Sequence, residues 1–144
     1  MKSFKLLLVV FFCFPYTASA QQVLGPHPII GGIPVSCFGA VTIVAPVNDI
    51  AKALPGRIIL NPALFNYPPV NQVFVYAHEC GHQVVGSNET AADCWAIKTM
   101  RNQGLLPPQL TPAVAQMFAN SPGDWTHAPG PIRIQNMATC YNSP

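Results

Sequence analysis

Two pairs of metal-binding side chains at helical spacing lie close together in this chain. His78 and His82 are four residues apart, so on a helix both imidazoles lie on one face, and this spacing lets them bind one zinc ion. Glu89 and Asp93 repeat the same spacing. Between the pairs, residues 86–88 are Gly-Ser-Asn, which predicts a helix stop followed by an N-cap. We therefore expect two antiparallel helices whose tight connection brings Glu89 back beside the histidines.

This arrangement predicts a catalytic zinc site with one zinc ion per chain. Two histidines and Glu89 as ligands leave a fourth position open for water, and this donor set favours zinc among the divalent ions. Asp93 can accept the outer N–H of a liganding histidine. Glu79 lies about 100° round the helix from His78, so it flanks the metal without ligating it. From there it can act as general base in metal-assisted hydrolysis. The alternative is an ordinary helix with solvated carboxylates.

The same residues carry a resemblance to a known family. His-Glu-Cys-Gly-His at 78–82, followed by Asn-Glu-Thr-Ala-Ala-Asp at 88–93, resembles the gluzincin metallopeptidases. The second segment is similar to the HtpX and CAAX-prenyl-protease branch. Residues 126–134 resemble that branch's Thr-His-Pro segment and its Arg-Ile pair, although Ala128 interrupts the His-Pro step. The resemblance covers roughly residues 56–141, and in size the chain is similar to the minigluzincins.

The resemblance implies an α+β, zincin-like fold and a zinc-dependent peptidase activity. A short β-sheet or hairpin would pack on the active-site helix and on an antiparallel, glutamate-bearing helix. In such folds, the strand before the active-site helix is the edge that pairs with an extended peptide. Residues 57–60 would then be the substrate-binding strand, working by β-strand addition. A purely structural hairpin is the alternative for this segment.

A peptidase of this kind also needs a group that stabilises the oxyanion of the tetrahedral intermediate. His127 is the first candidate, because the family segment that it resembles folds back near the metal. Arg133 and Tyr141 are the next candidates. The alternative for Arg133 is an ion pair with a carboxylate such as Asp93 or Asp124. The alternative for Tyr141 is a place in the core.

Residues 1–20 predict a secretory signal peptide. Two lysines precede an apolar run at 6–14, and Ala-Ser-Ala at 18–20 is a small-x-small cleavage signal. Cleavage there would leave a single metallopeptidase-like domain over 21–144, in the periplasm or outside the cell. No other apolar run approaches the length of a membrane-spanning helix, so we expect no membrane anchor in the mature chain.

The charge of the mature chain bears on its partners. Lys+Arg falls from 7 to 5 when Lys2 and Lys5 are removed, which equals the 5 of Asp+Glu. A formally neutral surface gives no reason to expect nucleic acid or an anionic membrane as partner. The expected partner is a peptide or protein substrate.

Four cysteines remain after the predicted cleavage: Cys37, Cys80, Cys94 and Cys140. An even number in an exported chain predicts two disulfides, and three pairings are possible. On the two predicted helices, Cys80 and Cys94 point away from the metal-binding faces. A four-cysteine zinc site is the alternative, but no Cys-x-x-Cys pair is present.

Periodicity and turn residues predict the remaining elements. Helices are predicted over 70–85, 89–103, 111–118 and 132–141, and strands over 40–44 and 57–60. The first helix has an apolar stripe made of Val73, Phe74, Ala77, Cys80 and Val84. Residues 48–54 predict a helical turn. Residues 21–34 are rich in Pro and Gly and predict a loosely held N-terminal arm.

Two other hypotheses come from the size of the chain and from this arm. A zinc-containing binding or structural protein without physiological proteolysis is possible on size alone, because a short chain leaves little material for a deep cleft. Alternatively, residues 21–37 mask the site until a partner moves them.

Overall fold

The computed structural model describes residues 20–144, so the predicted signal peptide lies outside the described residues, apart from Ala20. This part of the chain is a small α+β domain with a short sheet, four helices and two disulfides. The strands are β1 (Gln22–Gly25), β2 (Ile29–Ile30), β3 (Ile33–Pro34), β4 (Val41–Val44), β5 (Ala51–Leu54) and β6 (Arg57–Leu60). The helices are α1 (Pro69–Val85), α2 (Glu89–Asn102), α3 (Thr111–Phe118) and α4 (Gly130–Asn142). Short 3₁₀ turns at Pro62–Asn66 and Pro108–Leu110 precede α1 and α3.

The main sheet has the strand order β1-β4-β6-β5. β4 and β6 run parallel in its centre, and β1 and β5 flank them as antiparallel edge strands. α1 packs against β5 and β6, so the sheet lies beside the helix that carries the two histidines. β2 and β3 form a separate small hairpin.

Residues 48–54 differ from the prediction of a helical turn, because Ala51–Leu54 is strand β5. β5 and β6 form a hairpin in which Ala51 pairs with Leu60 and Leu54 pairs with Arg57. The connection is Pro55-Gly56, and Gly56 has φ 68°. Pro followed by Gly at positive φ is the chemistry of a type II turn. Pairing with β6 therefore outweighs the weak local helical preference of this segment.

The expectation that residues 57–60 form a substrate-binding edge is wrong for this fold. β6 is paired with β4 on one side and with β5 on the other. A strand that is paired on both sides has no free N–H and C=O groups for a further chain. The free edge on this side of the sheet belongs to β5.

Residues 21–34 form more structure than a loosely held arm. β1 pairs with β4, and Ile30 is fully buried in the core. Gly31 lies so close to α1 that a side chain there would overlap the carbonyl oxygen of Pro69. No residue of 21–37 lines the cleft at the histidines, so the arm does not mask it.

α1 and α2 form the antiparallel pair that the sequence predicts. α1 ends at Gly86, which has φ 71°, and Asn88 caps α2 by accepting the N–H of Ala91 at 2.9 Å. The two helices lie close together at Gly81, where a Cβ would lie 3.1 Å from the carbonyl oxygen of Ala92. The missing side chain at this position therefore allows α2 to lie against the turn of α1 that carries the two histidines.

The predicted apolar stripe of α1 is confirmed at four of its five positions. Val73, Phe74, Ala77 and Cys80 are buried in the core. Val84 is 51 % exposed, which differs from the prediction. It belongs to the last turn of α1, beyond the buried stretch that ends at Gly81.

Both predicted disulfides are present. Cys37 is bonded to Cys80, which ties α1 to the segment before β4, and Cys94 is bonded to Cys140, which ties α2 to α4. Two such bonds indicate an oxidising, extracellular-type compartment. Among residues 20–144, no helix is both long and apolar enough to cross a lipid bilayer.

Replacing both Cys94 and Cys140 with alanine should lower the free energy of unfolding by about 3–4 kcal/mol, because the bond closes a long loop in the unfolded chain. Urea unfolding of the metal-free parent and the variant, followed by circular dichroism, measures this difference. Chelator in both samples removes any contribution from bound metal. A difference below about 1 kcal/mol would show that native contacts alone hold α4 on α2.

Candidate metal centre

Three side chains converge where α1 meets the start of α2. His78 Nε2 lies 3.1 Å from His82 Nε2 and 3.1 Å from Glu89 Oε2. His82 Nε2 lies 3.4 Å from Glu89 Oε2. These three groups can hold a metal ion. The predicted helix hairpin therefore brings together the three predicted ligands.

The size of this triangle is compatible with zinc. Zinc bonds to histidine nitrogen and carboxylate oxygen are about 2.0–2.2 Å long, so adjacent ligand atoms of a tetrahedral site lie about 3.3–3.5 Å apart. The three distances between the ligand atoms approach that spacing without rearrangement. The three side chains also line an open cleft, from which a fourth ligand such as water can approach.

Both histidines direct their outer nitrogens to oxygen atoms. His82 Nδ1 lies 2.7 Å from the carbonyl oxygen of Gly86. His78 Nδ1 lies 2.8 Å from Asp93 Oδ1, a close ion-pair contact rather than a well-aligned hydrogen bond. With these nitrogens protonated, each Nε2 presents a lone pair to the centre, the usual arrangement of liganding histidines. Asp93 thus lies where the sequence predicted a partner of a ligand.

Asp93 is also held by Arg133. Arg133 donates from Nε to Asp93 Oδ2 at 2.8 Å and from Nη2 to Oδ1 at 2.7 Å, and its guanidinium lies over the ring of Phe118. Burial raises the pKa of Asp93, but the contacts with His78 and Arg133 outweigh burial and lower it. Arg133 therefore forms the ion pair that was the alternative to an oxyanion role, and this pair engages its Nε and Nη2.

The electrostatic surroundings of His78 favour its charged form in the metal-free chain. Burial lowers its pKa, but the close contacts with Asp93 and Glu89 and the negative charges around it raise the pKa to about 9. The pKa of Glu89 is lowered, because the effects of His78, His127 and His82 outweigh burial, which raises it. A bound dication would take the place of the proton on His78.

Glu79 lies beside the triangle without belonging to it. It is buried, lines the same cleft as the two histidines, and is not among the three grouped ligands. Burial raises its pKa, and the carboxylates of Glu89 and Asp49 add to this effect, whereas His78 and His82 lower it. Its place on α1 agrees with the predicted flanking position, next to the metal ligands.

His127 reaches the centre from the segment 119–129 between α3 and α4, here called the His127 loop. His127 Nε2 lies 3.1 Å from Glu89 Oε2, and its Nδ1 faces Asp124 and Thr126. Hydrogen bonds from the Thr126 side chain and from the backbone N–H groups of His127 and Thr126 lower the pKa of Asp124. Gly130 closes the loop, since a side chain there would overlap the carbonyl oxygen of Phe118.

Tyr141 lies elsewhere. Its hydroxyl donates to the carbonyl oxygen of Leu106 at 3.0 Å, and its ring packs against the core. It lines a separate cavity of about 360 Å³ between α3 and α4, together with Val114 and Met137. Tyr141 therefore packs against the core, which was the alternative to an oxyanion role.

Sequence reasoning did not predict the part of the structure that faces the candidate metal centre across a cleft. An open cleft of about 1020 Å³ is bounded by β5, by the turn after it and by the helix residues of the centre. Gln83 on α1 fixes this part of the structure, because it accepts the N–H of Gly56 at 3.1 Å and donates to the carbonyl oxygen of Leu54 at 2.9 Å. The Pro55-Gly56 turn signal was the sequence feature from which the hairpin could have been found.

Comparison with known proteins adds no further assignment, since no family model, no curated protein and no solved structure matches this chain. The assignment of the centre rests on the geometry and chemistry of its own residues.

Asp93→Asn should weaken zinc binding by about 10- to 100-fold, because a neutral amide supports the His78 imidazole less well than a carboxylate. Competition with a chromophoric chelator measures the affinity. Asp49→Asn is the matched control, since Asp49 is an exposed carboxylate on the same cleft with no hydrogen bond to a ligand. Equal affinities of the two variants, at matching circular dichroism, would contradict a role of Asp93 in holding the ligand.

The raised pKa of His78 predicts the pH dependence of the metal-free protein. A group whose pKa rises on folding stabilises fully below its unfolded value, here 6.5, and this stabilisation is lost as the pH rises through about 9. Urea unfolding with chelator at pH 6 and pH 9.5 should therefore give lower stability at the higher pH. The same measurements on His78→Gln should show a flatter dependence. Constant or rising stability of the metal-free parent over this range would contradict the expectation.

Proposed function

We propose that this chain is an exported zinc-dependent metallopeptidase with a zincin-like arrangement of helices and sheet. The observation that carries the proposal is the convergence of His78, His82 and Glu89, with Glu79 beside them, on an open cleft. Three ligands and a position for water are typical of catalytic rather than structural zinc sites. The two disulfides support an extracellular-type compartment.

The chemistry divides between the metal and Glu79. Bound zinc would supply Lewis acidity, which polarises the scissile carbonyl and lowers the pKa of a water molecule. The Glu79 carboxylate accepts the proton of the attacking water and returns it to the leaving amine nitrogen. Its position beside the ligands and on the cleft supports this role.

His127 is proposed to stabilise the oxyanion. It lines the cleft, and its Nε2 lies next to the ligand oxygen of Glu89. A donor there faces the position where negative charge develops on the carbonyl oxygen. The Asp124 carboxylate lies on the opposite side of the ring, 3.2 Å from Nδ1, and orients the imidazole with Nε2 toward Glu89.

β5 is proposed to bind the substrate backbone, in place of residues 57–60. It is the edge strand of the sheet, and all four of its residues line the cleft. An extended peptide can pair with such an edge by main-chain hydrogen bonds. Gln83 holds the end of β5 against α1, so a peptide on this edge would pass the metal ligands.

Glu79→Gln tests the activity. The variant should bind zinc like the parent but cleave a random peptide mixture with kcat/KM reduced by about 10²- to 10⁴-fold, because the general base is lost. His82→Ala is the control in which both zinc content and cleavage should be lost. Mass spectrometry of the digests and elemental analysis of the proteins give the two readouts.

An equally active Glu79→Gln protein would contradict the mechanism. A zinc-loaded parent that cleaves no peptide would instead favour a zinc-containing binding or structural protein.

A further inference from the structure

Lys52 and Arg57 are the lysine and arginine side chains without a bonded partner among residues 20–144. The other cationic side chains are engaged, Arg133 in an ion pair and Lys98 and Arg101 with backbone carbonyl oxygens near the C-terminus. Lys52 and Arg57 are both exposed and take part in none of the ion pairs of this part of the chain. Lys52 belongs to β5 and Arg57 to β6, so both charges lie on one hairpin.

The two charges also lie on the same face of this hairpin. Lys52 pairs with Ile59, and Leu54 pairs with Arg57. Residues that pair across an antiparallel ladder point to the same face, so Lys52 and Arg57 are diagonal neighbours about 7–8 Å apart. None of the four strands of the main sheet contains Asp or Glu. The positive charge on this face is therefore not compensated from within the sheet.

The backbone of β5 presents hydrogen-bonding groups to the free edge beside Lys52. The carbonyl oxygens of Gly56 and Leu60 accept N–H groups from β4 and from the residue after it. Because backbone groups alternate in direction along a strand, the odd-numbered residues of β6 bond to β5 instead. Their partners, Leu54 and Lys52, therefore direct their backbone groups to β6. Ala53, between them, directs its N–H and C=O to the free edge.

This geometry defines what a peptide on the edge would meet. A peptide bonded to Ala53 in an antiparallel ladder brings its neighbouring side chain opposite Lys52, in a non-hydrogen-bonded pair whose side chains are closest. Opposite charges that face each other across a ladder stabilise it, and like charges destabilise it. Lys52 lines the cleft that contains the candidate metal ligands. An acidic side chain of a peptide in this cleft is therefore favoured opposite Lys52.

We propose that Lys52 is a specificity residue that selects peptides with Asp or Glu at the position facing it across the β5 edge. Arg57, diagonal to it on the same face, adds to the positive potential at that position. This proposal rests on the proposed function and adds a substrate class to it, namely peptides with an acidic residue close to the scissile bond.

Two other occupants of this edge fit the charges less well. A second copy of the chain would present its own β5, which has no carboxylate to face Lys52, and a lysine on an exposed edge disfavours pairing between copies. Anionic membranes are bound by clusters of about four to eight basic residues. The hairpin offers Lys52 and Arg57 for that purpose and no further basic residue.

Cleavage-site profiling provides the first test. Random peptides, acetylated and amidated so that their termini are uncharged, are digested and their cleavage sites are read by mass spectrometry. The parent should enrich Asp and Glu about two- to fivefold at one fixed position relative to the scissile bond. Lys52→Gln should lose this enrichment, and Lys52→Glu should favour Lys and Arg at the same position. Lys98→Gln is the matched control, because it removes the same charge outside the cleft lining and should keep the preference of the parent.

Peptide binding provides a test that does not need turnover. Zinc-loaded Glu79→Gln is titrated into two decapeptide pools that carry an uncharged dye, one containing Asp and Glu and the other Asn and Gln, and fluorescence anisotropy is measured. The acidic pool should bind about two- to fivefold more tightly, and 1 M salt should reduce the difference. The difference should vanish in Lys52→Gln/Glu79→Gln. A peptide carboxylate that simply binds zinc would keep the difference in that variant, which contradicts the proposal.

The outcomes separate this proposal from the peptidase. Cleavage by the parent with no acidic preference, or with a preference that Lys52→Gln retains, overturns the role of Lys52 alone. Binding of the acidic pool that depends on Lys52, without any cleavage by the parent, supports that role and overturns the peptidase. Binding to phosphatidylserine vesicles that depends on Lys52, with no peptide binding, overturns the role in favour of a membrane surface. Neither peptide binding nor cleavage overturns both proposals.

Discussion

The ion pairs of Asp93 are the interactions on which the candidate metal centre and the packing of α1, α2 and α4 depend. Asp93 lies on α2, contacts His78 of α1 and accepts two hydrogen bonds from Arg133 of α4. A buried charge of this kind is stable only while its partners are present, and removal of one partner leaves the others uncompensated. We therefore expect the candidate metal-binding face to depend on α4, although no residue of α4 belongs to the group His78, His82 and Glu89.

A second contact between a carboxylate of α2 and the C-terminal part of the chain lies one turn earlier on α2. His127 contacts Glu89, and Arg133 contacts Asp93, so two side chains from the C-terminal part of the chain face two carboxylates four residues apart. The disulfide between Cys94 and Cys140 joins the same two helices. Two ion pairs and one disulfide thus connect α2 with the His127 loop and α4. These contacts hold the polar site in place although the domain is too small to build a large core around it.

Short-range patterns account for what the sequence predicted correctly. The i, i+4 spacings and the Gly-Ser-Asn turn fix the helix pair and the grouping of its three candidate ligands locally, so they could be predicted. The order of strands in the sheet depends on pairing between distant segments, which local propensity does not contain. For that reason the sequence predicts a helical turn at 48–54, where β5 lies, and an edge position for the correctly predicted strand 57–60, which lies inside the sheet. Likewise, the partner of Arg133 is 40 residues away, and two carboxylates remained possible until the structure placed α4.

The surroundings of Glu79 connect the candidate metal site to the proposed general base. Burial and the neighbouring carboxylates of Glu89 and Asp49 raise its pKa, whereas His78 and His82 lower it. A dication held by His78, His82 and Glu89 would neutralise Glu89 and favour ionised Glu79, which lowers its pKa. In the proposed function, metal binding and the availability of the base are therefore coupled, because the carboxylate that would ligate the metal also raises the pKa of Glu79.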